Sequence, residues 1–155
     1  MALKTFEALP AGSKPVVNFE LENGGVIKVE LFTDVAPNHC AALVELVNKG
    51  YYNGLNFHRV VPGFVVQGGC PKGTGSGGPG YNLKAEFSDR PHLSGTLAMA
   101  RTPDPDSAGS QFYICLAPQP SLDGQYTVFG QTTEGFELVQ KIKQGDKMVK
   151  VTVSM

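Results

Sequence analysis

The sequence predicts a mainly β fold, a closed antiparallel barrel with an α-helix over each end. The chain of 155 residues is the size of one domain and can build a single sizeable core. Its short apolar or alternating runs are separated by turns, for which 19 glycines and 11 prolines are available. Only two segments have helical spacing, too few for the alternation with strands that a parallel sheet requires. Closing the sheet would remove its exposed edges.

Residues 1–14 have no clear period and predict a loosely ordered lead-in to one domain over residues 15–155. Residues 16–22 and 26–32 alternate on either side of Asn23-Gly24-Gly25, which indicates a hairpin. Further strands are predicted over residues 95–100, 111–115, 126–130 and 149–153. No internal repeat and no second domain is evident.

Residues 36–48 predict the first helix, with Pro37 in its first turn and Thr33-Asp34 as its cap. His39 and Cys40 lie at its start without further ligands at metal-binding spacing, so a surface histidine and a core-facing cysteine are favoured over a metal site. Residues 134–143 carry apolar residues at helical spacing and predict a short second helix.

The central stretch, residues 57–69, reads FHRVVPGFVVQGG and predicts a tight hairpin. With a three-residue loop, Arg59 and Gln67 lie side by side on one face, whereas a two-residue loop puts them on opposite faces. The glutamine carbonyl could then orient the guanidinium and leave its other donors free. From these residues alone, a strand arginine that reaches water is slightly favoured.

Composition argues against several classes of protein. The net charge of −1 offers no bulk attraction to nucleic acid or an anionic membrane. No stretch reads as a secretory signal or a membrane span. Three distant cysteines favour free thiols and a cytoplasmic location over disulfides or zinc. The glycine-rich residues 71–80 lack the P-loop and dinucleotide patterns, so no cofactor is expected and a loop that lets a ligand backbone approach is favoured.

Two later segments complete a family resemblance. Residues 108–114 read AGSQFYI and residues 121–130 read SLDGQYTVFG. Together with the central stretch they resemble the cyclophilins, the cyclosporin-type peptidyl-prolyl cis-trans isomerases, from about Val16 to Val153. The resemblance implies an eight-stranded barrel with a helix over each end, and catalysis of rotation about X–Pro bonds in protein folding.

The resemblance also implies the site. Arg59, Gln67 and Phe64 match the family's catalytic positions, with Gln67 orienting Arg59. The positions that match its substrate-binding residues are His58, Val65, Gly75, Ala100, Arg101, Thr102, Gln111, Tyr113, Ser121, Leu122 and Tyr126.

Several of these residues depart from the usual pattern. Val65 and Tyr113 stand where most relatives have Met and Phe, and Arg101 replaces a usual Asn whose role is mainly through its backbone. Tyr126 stands where many relatives have His. Ser121 stands where many have a large aromatic, so cyclosporin is expected to bind only weakly.

The expected partners are proline-containing peptides and unfolded or flexible protein segments, with neither nucleic acid nor membrane, and the protein is expected to be a monomer. His58 could serve as a general acid or base, but a structural or solvent-facing role is favoured because no nucleophile lies near it in either motif. The alternative function is a non-catalytic adaptor or chaperone module that binds proline peptides. Such a module would not need Arg59 and Gln67, so their presence counts against it.

Overall fold

The computed structural model describes residues 2–155, which form a mainly β domain with two α-helices, as the sequence predicts. The strands are β1 Val16–Leu21, β2 Val26–Leu31, β3 Arg59–Val61, β4 Val65–Gly68, β5 Thr96–Met99, β6 Phe112–Cys115, β7 Val128–Glu134 and β8 Met148–Ser154. The helices are α1 Pro37–Asn48 and α2 Phe136–Val139, and a 3₁₀ turn covers Pro120–Leu122. The second helix is shorter than predicted because β7 extends to Glu134. Gly135, in the left-handed conformation at φ +83°, then separates the strand from the helix.

The eight strands form one antiparallel sheet in the order β3-β4-β6-β5-β7-β2-β1-β8. The prediction of a closed barrel is wrong, because β3 and β8 are the edges of a curled, open sheet. β3 has only three residues, and the chain ahead of it meets the chain ahead of β8 at an isolated bridge between Asn56 and Lys147. The Phe57 N–H donates to the Asp146 carbonyl at 2.8 Å and stabilises that bridge. The contact does not continue as pairing between β3 and β8.

The sheet buries side chains on both of its faces. On the inner face, Ile114 of β6 belongs to the main core together with residues of β1, β2 and α1. On the outer face, Val65, Ala98, Tyr113, Cys115 and Val128 form a second, smaller cluster. Since successive residues of a strand point to opposite faces, the central strands read as continuous apolar runs rather than as alternating ones. The second cluster is the floor on which the site is built.

The first turn of α1 is capped by a residue far away in the sequence. Ala36 makes no side-chain cap, so the prediction of a Thr33-Asp34 cap is wrong. The Glu86 carboxylate instead accepts the backbone N–H groups of Asn38 and His39, at 3.1 and 2.7 Å. Burial alone would raise the pKa of Glu86, but its hydrogen bonds from His39 and these amides lower it.

The prediction that His39 lies on the surface is wrong, since the side chain is fully buried. Its Nδ1 lies 2.6 Å from Glu86 Oε1, and its ring packs against Phe129. The carboxylate that caps the helix therefore also provides the histidine with a polar partner inside the core, which is what allows it to be buried.

The N-terminal stretch lies along α1 and the loop after the glycine-rich segment. Lys4 N–H donates to the Asn82 carbonyl at 2.9 Å, and Phe6 N–H donates to Asn38 Oδ1 at 2.7 Å. The Phe6 and Tyr81 rings meet edge to face, with centroids 5.5 Å apart. Among residues 2–155, none of the helices combines the length and the apolar character needed to cross a bilayer.

Candidate active site

The central hairpin has the register that the sequence predicts for a three-residue loop. Arg59 pairs with Gln67 and Val61 with Val65, so the arginine and the glutamine share one face of the sheet. The Phe64 N–H donates to the Val61 carbonyl at 3.0 Å and closes the turn. Gly63 has φ +73°, a conformation that glycine adopts without steric cost.

The side-chain amides of Gln67 and Gln111 are linked in a series of hydrogen bonds that begins at Arg59. Gln67 Oε1 accepts Arg59 Nη1 at 3.3 Å, and Gln67 Nε2 donates to Gln111 Oε1 at 3.2 Å. Gln111 Nε2 in turn donates to the carbonyls of Gly75 and Gly77, at 2.8 and 3.0 Å. Because the Gln67 amide donates to Gln111 on one side and accepts from Arg59 on the other, the carbonyl that faces Arg59 is held in one orientation. The remaining guanidinium donors of Arg59 stay available on an exposed side chain.

A cavity of about 200 Å³ opens beside Arg59. Val65 and Tyr113 form its buried floor, and Phe64, Leu122 and Tyr126 pack around the same cluster. Nine of the candidate site residues therefore line one cavity: Arg59, Phe64, Val65, Gln67, Ala100, Arg101, Tyr113, Leu122 and Tyr126. The arrangement places a planar cation beside a small recess whose lining is partly apolar and partly polar.

Tyr113 is anchored from behind the cavity by two residues that the sequence analysis missed. Its hydroxyl lies 2.8 Å from Nε2 of His92, and Nδ1 of His92 lies 2.9 Å from Asp123 Oδ1. The His92 backbone N–H also donates to that oxygen, at 2.7 Å, and with the ring contact it lowers the Asp123 pKa. Burial raises the pKa of Tyr113, which keeps its hydroxyl protonated. The hydroxyl of Tyr113, at a position where the family resemblance leads one to expect Phe, was the available signal for this network.

A second, larger cavity of about 490 Å³ adjoins the first and shares Gln67, Ala100 and Arg101 with it. It brings in Gly75, Thr102 and Gln111 from the predicted set. The glycine-rich loop, predicted to let a ligand backbone approach, contributes Ser76, Gly77, Gly78 and Pro79. The remaining lining residues were not among the predicted site residues and come from loops: Tyr81, Asn82, Asp104, Ser107, Gly109 and Ser110.

The glycine-rich loop is wound tightly against the hairpin. Cys70 Sγ accepts the Gly77 N–H at 3.2 Å. Burial alone would raise the Cys70 pKa, but this and other backbone N–H groups of the loop lower it to about 7. Gly75, at φ +92°, lies so close to His58 that an added Cβ would be 3.2 Å from Nε2 of that ring. This close approach explains why glycine is needed there.

His58 and Ser121 line neither cavity. His58 is half-buried under the glycine loop, and burial, followed by the charge of Arg59, lowers its pKa. Ser121 is exposed on the 3₁₀ turn, where its carbonyl accepts Gln125 Nε2 at 2.9 Å. In the part of the chain that the structure describes, no group of three His, Cys, Asp or Glu side chains could hold a metal ion.

Comparison with known proteins places the chain in a family. Residues 16–154 match the model of the cyclophilin-type peptidyl-prolyl cis-trans isomerases. The chain is 50% identical over 131 residues to a peptidyl-prolyl cis-trans isomerase of Synechococcus elongatus, covering 83% of this chain and 90% of that one. It is 50% identical over 137 residues to peptidyl-prolyl cis-trans isomerase B of Bacillus subtilis, covering 87% and 95%.

A solved structure agrees with these relatives. The crystal structure of a Cryptosporidium parvum cyclophilin-type isomerase superposes with a TM-score of 0.86 at 29% identity, covering 92% of this chain and 99% of that one. A second structure of that enzyme, determined in the presence of the dipeptide Ala-Pro, gives a TM-score of 0.84 at 29% identity, with 90% and 99% covered. The chain belongs to the cyclophilin-type peptidyl-prolyl cis-trans isomerase family, and it is an enzyme that catalyses cis-trans isomerisation of X–Pro bonds.

Proposed function

We propose that Arg59 is the group that lowers the barrier to rotation about the X–Pro bond. Amide resonance sets that barrier at about 18–20 kcal/mol, and rotation requires the prolyl nitrogen to lose its conjugation. A fixed donor aimed at that nitrogen binds the deconjugated form more strongly than the planar ground state, which is differential binding of the transition state. Arg59 suits this role because it keeps free N–H donors while Gln67 Oε1 holds it at 3.3 Å.

The cavity beside Arg59 is proposed to grip the proline ring, so that only one side of the amide turns. A recess of about 200 Å³ with Phe64, Val65, Tyr113 and Leu122 around it has room for a five-membered ring. No bond is made or broken in the rotation, so neither a nucleophile nor a metal is needed. The single observation that carries this proposal is the shared cavity of Arg59 and these apolar side chains.

The neighbouring residues are proposed to hold the substrate backbone on either side of the proline. Ala100 and Gln111 offer backbone and amide groups, and Gly75 and Thr102 border the adjoining cavity. His58 acts only indirectly, through its contact with the glycine loop. Ser121 is proposed to leave the rim of the site open, so that cyclosporin binds weakly.

The substrates that fit this site are proline-containing peptides and flexible or unfolded protein segments, in which X–Pro bonds are accessible. The Cryptosporidium parvum enzyme, solved in the presence of Ala-Pro, supports this class of ligand. We propose that residues 15–155 act as one monomeric domain in the cytoplasm and assist protein folding there.

A direct test follows the rotation itself. A short X–Pro peptide is monitored by NMR exchange or by a protease-coupled assay, with and without the protein. Acceleration that is lost in Arg59→Ala but kept in Arg90→Ala, a surface arginine paired with Asp34 at 2.8 Å, supports the assignment. Equal acceleration by both variants would refute the role of Arg59.

A further inference from the structure

We infer that Arg101 makes the enzyme favour proline peptides that carry an acidic residue directly next to the proline. The inference rests on the proposed function and deepens it, since it names a substrate class for the same site. Arg101 lines both the proline cavity and the adjoining one, so its charge lies where a bound peptide passes between them.

Arg101 is held rigidly at that border. Its Nε and Nη2 donate to the Gln125 carbonyl at 3.1 and 2.7 Å, and its Nη1 donates to the carbonyls of Thr102 and Pro103 at 2.9 and 3.4 Å. The guanidinium also lies over the Tyr126 ring, with Cζ 4.5 Å from the ring centroid. A guanidinium has five N–H donors, so four are engaged and one remains.

The charge of Arg101 has no carboxylate partner, because all of its acceptors are neutral carbonyls. Within residues 2–155, neither Arg101 nor Arg59 takes part in an ion pair, whereas Arg90 does. Asp104 lines the adjoining cavity and keeps its charge, but it forms no ion pair with Arg101, and its Oδ1 accepts the Asp106 N–H at 2.9 Å. Two guanidiniums without an ion-pair partner among residues 2–155 therefore border the proline cavity.

A cation that is already held in place loses less side-chain freedom on forming an ion pair than a flexible surface lysine or arginine does. Exposed ion pairs contribute little, in part because two flexible side chains must be ordered when they form. Arg101 is already ordered by four hydrogen bonds and the Tyr126 ring, so a substrate carboxylate gains the attraction without ordering its partner. We expect about a two- to fivefold preference in kcat/KM for Glu over Gln next to proline, from the measured range for exposed pairs.

The test uses two peptide series that differ only in one residue, Glu, Gln or Lys, placed directly before or directly after the proline. The wild-type protein should prefer Glu over Gln over Lys in at least one series. Raising the salt from about 0.02 M to about 0.5 M should shrink that preference, because salt screens exposed charges. These two effects would show that a positive charge at the site selects the peptide, and the Arg101 variant then shows which arginine provides it.

Arg101→Gln should reduce the Glu-to-Gln ratio to near one. The ratio is taken within each protein, so a general loss of rate in the variant cancels. Arg90→Gln removes the same charge outside both cavities and should keep the wild-type ratio. If Arg101→Gln fails to fold, Arg101→Met removes the same charge while an unbranched side chain can still cover the Tyr126 ring, and the ratio is measured in that variant. Equal rates for Glu and Gln in both series, or an unchanged ratio in Arg101→Gln, overturn the inference. Absence of any acceleration of the Gln peptides would instead overturn the proposed function.

Discussion

The hydroxyl of Tyr113 lies 2.8 Å from Nε2 of His92, and both side chains are buried. Their rings stack nearly parallel, with centroids 5.9 Å apart. Since Asp123 holds the other ring nitrogen, the floor of the proline cavity is tied to the segment that carries Leu122. The position of Tyr113 therefore depends on polar contacts as well as on packing.

Tyr113→Phe should destabilise the protein, although phenylalanine is the residue that the family resemblance leads one to expect there. The change removes one oxygen and leaves His92 Nε2 buried without a partner, which costs about 1–3 kcal/mol of unfolding free energy. Urea denaturation measures it. Tyr126→Phe is the matched control, because the Tyr126 hydroxyl makes no hydrogen bond within residues 2–155 and its loss should leave stability nearly unchanged. Equal effects of the two variants would contradict the role of the His92 contact.

Arg59→Ala should lower kcat/KM by roughly 10²-fold or more, the cost typical of removing a donor that acts in the transition state. Arg59→Lys should lower it only somewhat less, because a flexible ammonium cannot reproduce the planar fork that Gln67 holds. Isomerisation kinetics with thermal melts as the control measure both. Near-wild-type turnover in a folded Arg59→Ala protein would contradict the mechanism.

The partnership of Arg59 and Gln67 can be isolated by a double-mutant cycle. If Gln67 acts by orienting Arg59, the loss in Gln67→Ala should largely disappear when Arg59 is already alanine, since residues in one network are not additive. Two fully additive losses would show that the glutamine acts on the substrate by itself.

Activity should be nearly constant between about pH 6 and 8. The pKa of His58 is lowered, first by burial and then by the Arg59 charge, so the neutral imidazole persists to lower pH than usual, and the proposed mechanism requires no group that titrates in this interval. His58→Gln should accordingly keep a flat profile and a substantial rate. A bell-shaped profile in the wild type that vanishes in this variant would indicate acid–base catalysis by the histidine.

Cyclosporin should bind less tightly than it binds relatives with tryptophan at the position of Ser121. An exposed serine there lacks the apolar surface of an indole, and burial of a large side chain contributes about 1.5–3 kcal/mol. That corresponds to roughly one to two decades in affinity. Titration of the wild type and of Ser121→Trp, with isomerisation assays of both, measures the effect. No gain in affinity in the tryptophan variant would show that another residue determines drug binding.

Local patterns predicted the elements that carry Arg59 and Gln67. Alternation and the Pro62-Gly63 turn lie within the hairpin itself, so the sequence narrowed its register to two possibilities that differ in loop length, and the structure has the three-residue loop. The first hairpin, β1 and β2, was equally readable because its strands and turn are contiguous.

Features that join distant segments could not be read in this way. Glu86 lies 47 residues beyond His39, and nothing in the helix sequence indicates that partner. The sheet stays open because β3 does not pair with β8. The spacing of residues in the sequence does not indicate whether these two edge strands pair. Asp104 and Tyr81 reach the adjoining cavity through irregular loops that have no periodicity.

The capping of α1 by Glu86 has a consequence for the order of folding. Isolated helices of this length, 12 residues, are marginal in water, and this one has no cap of its own. Its first turn is completed only when Glu86 arrives from 48 residues away and meets the Asn38 amide. We therefore expect α1 to become stable together with the sheet rather than ahead of it, so that closure of a long chain loop sets the pace at which this enzyme reaches its native state.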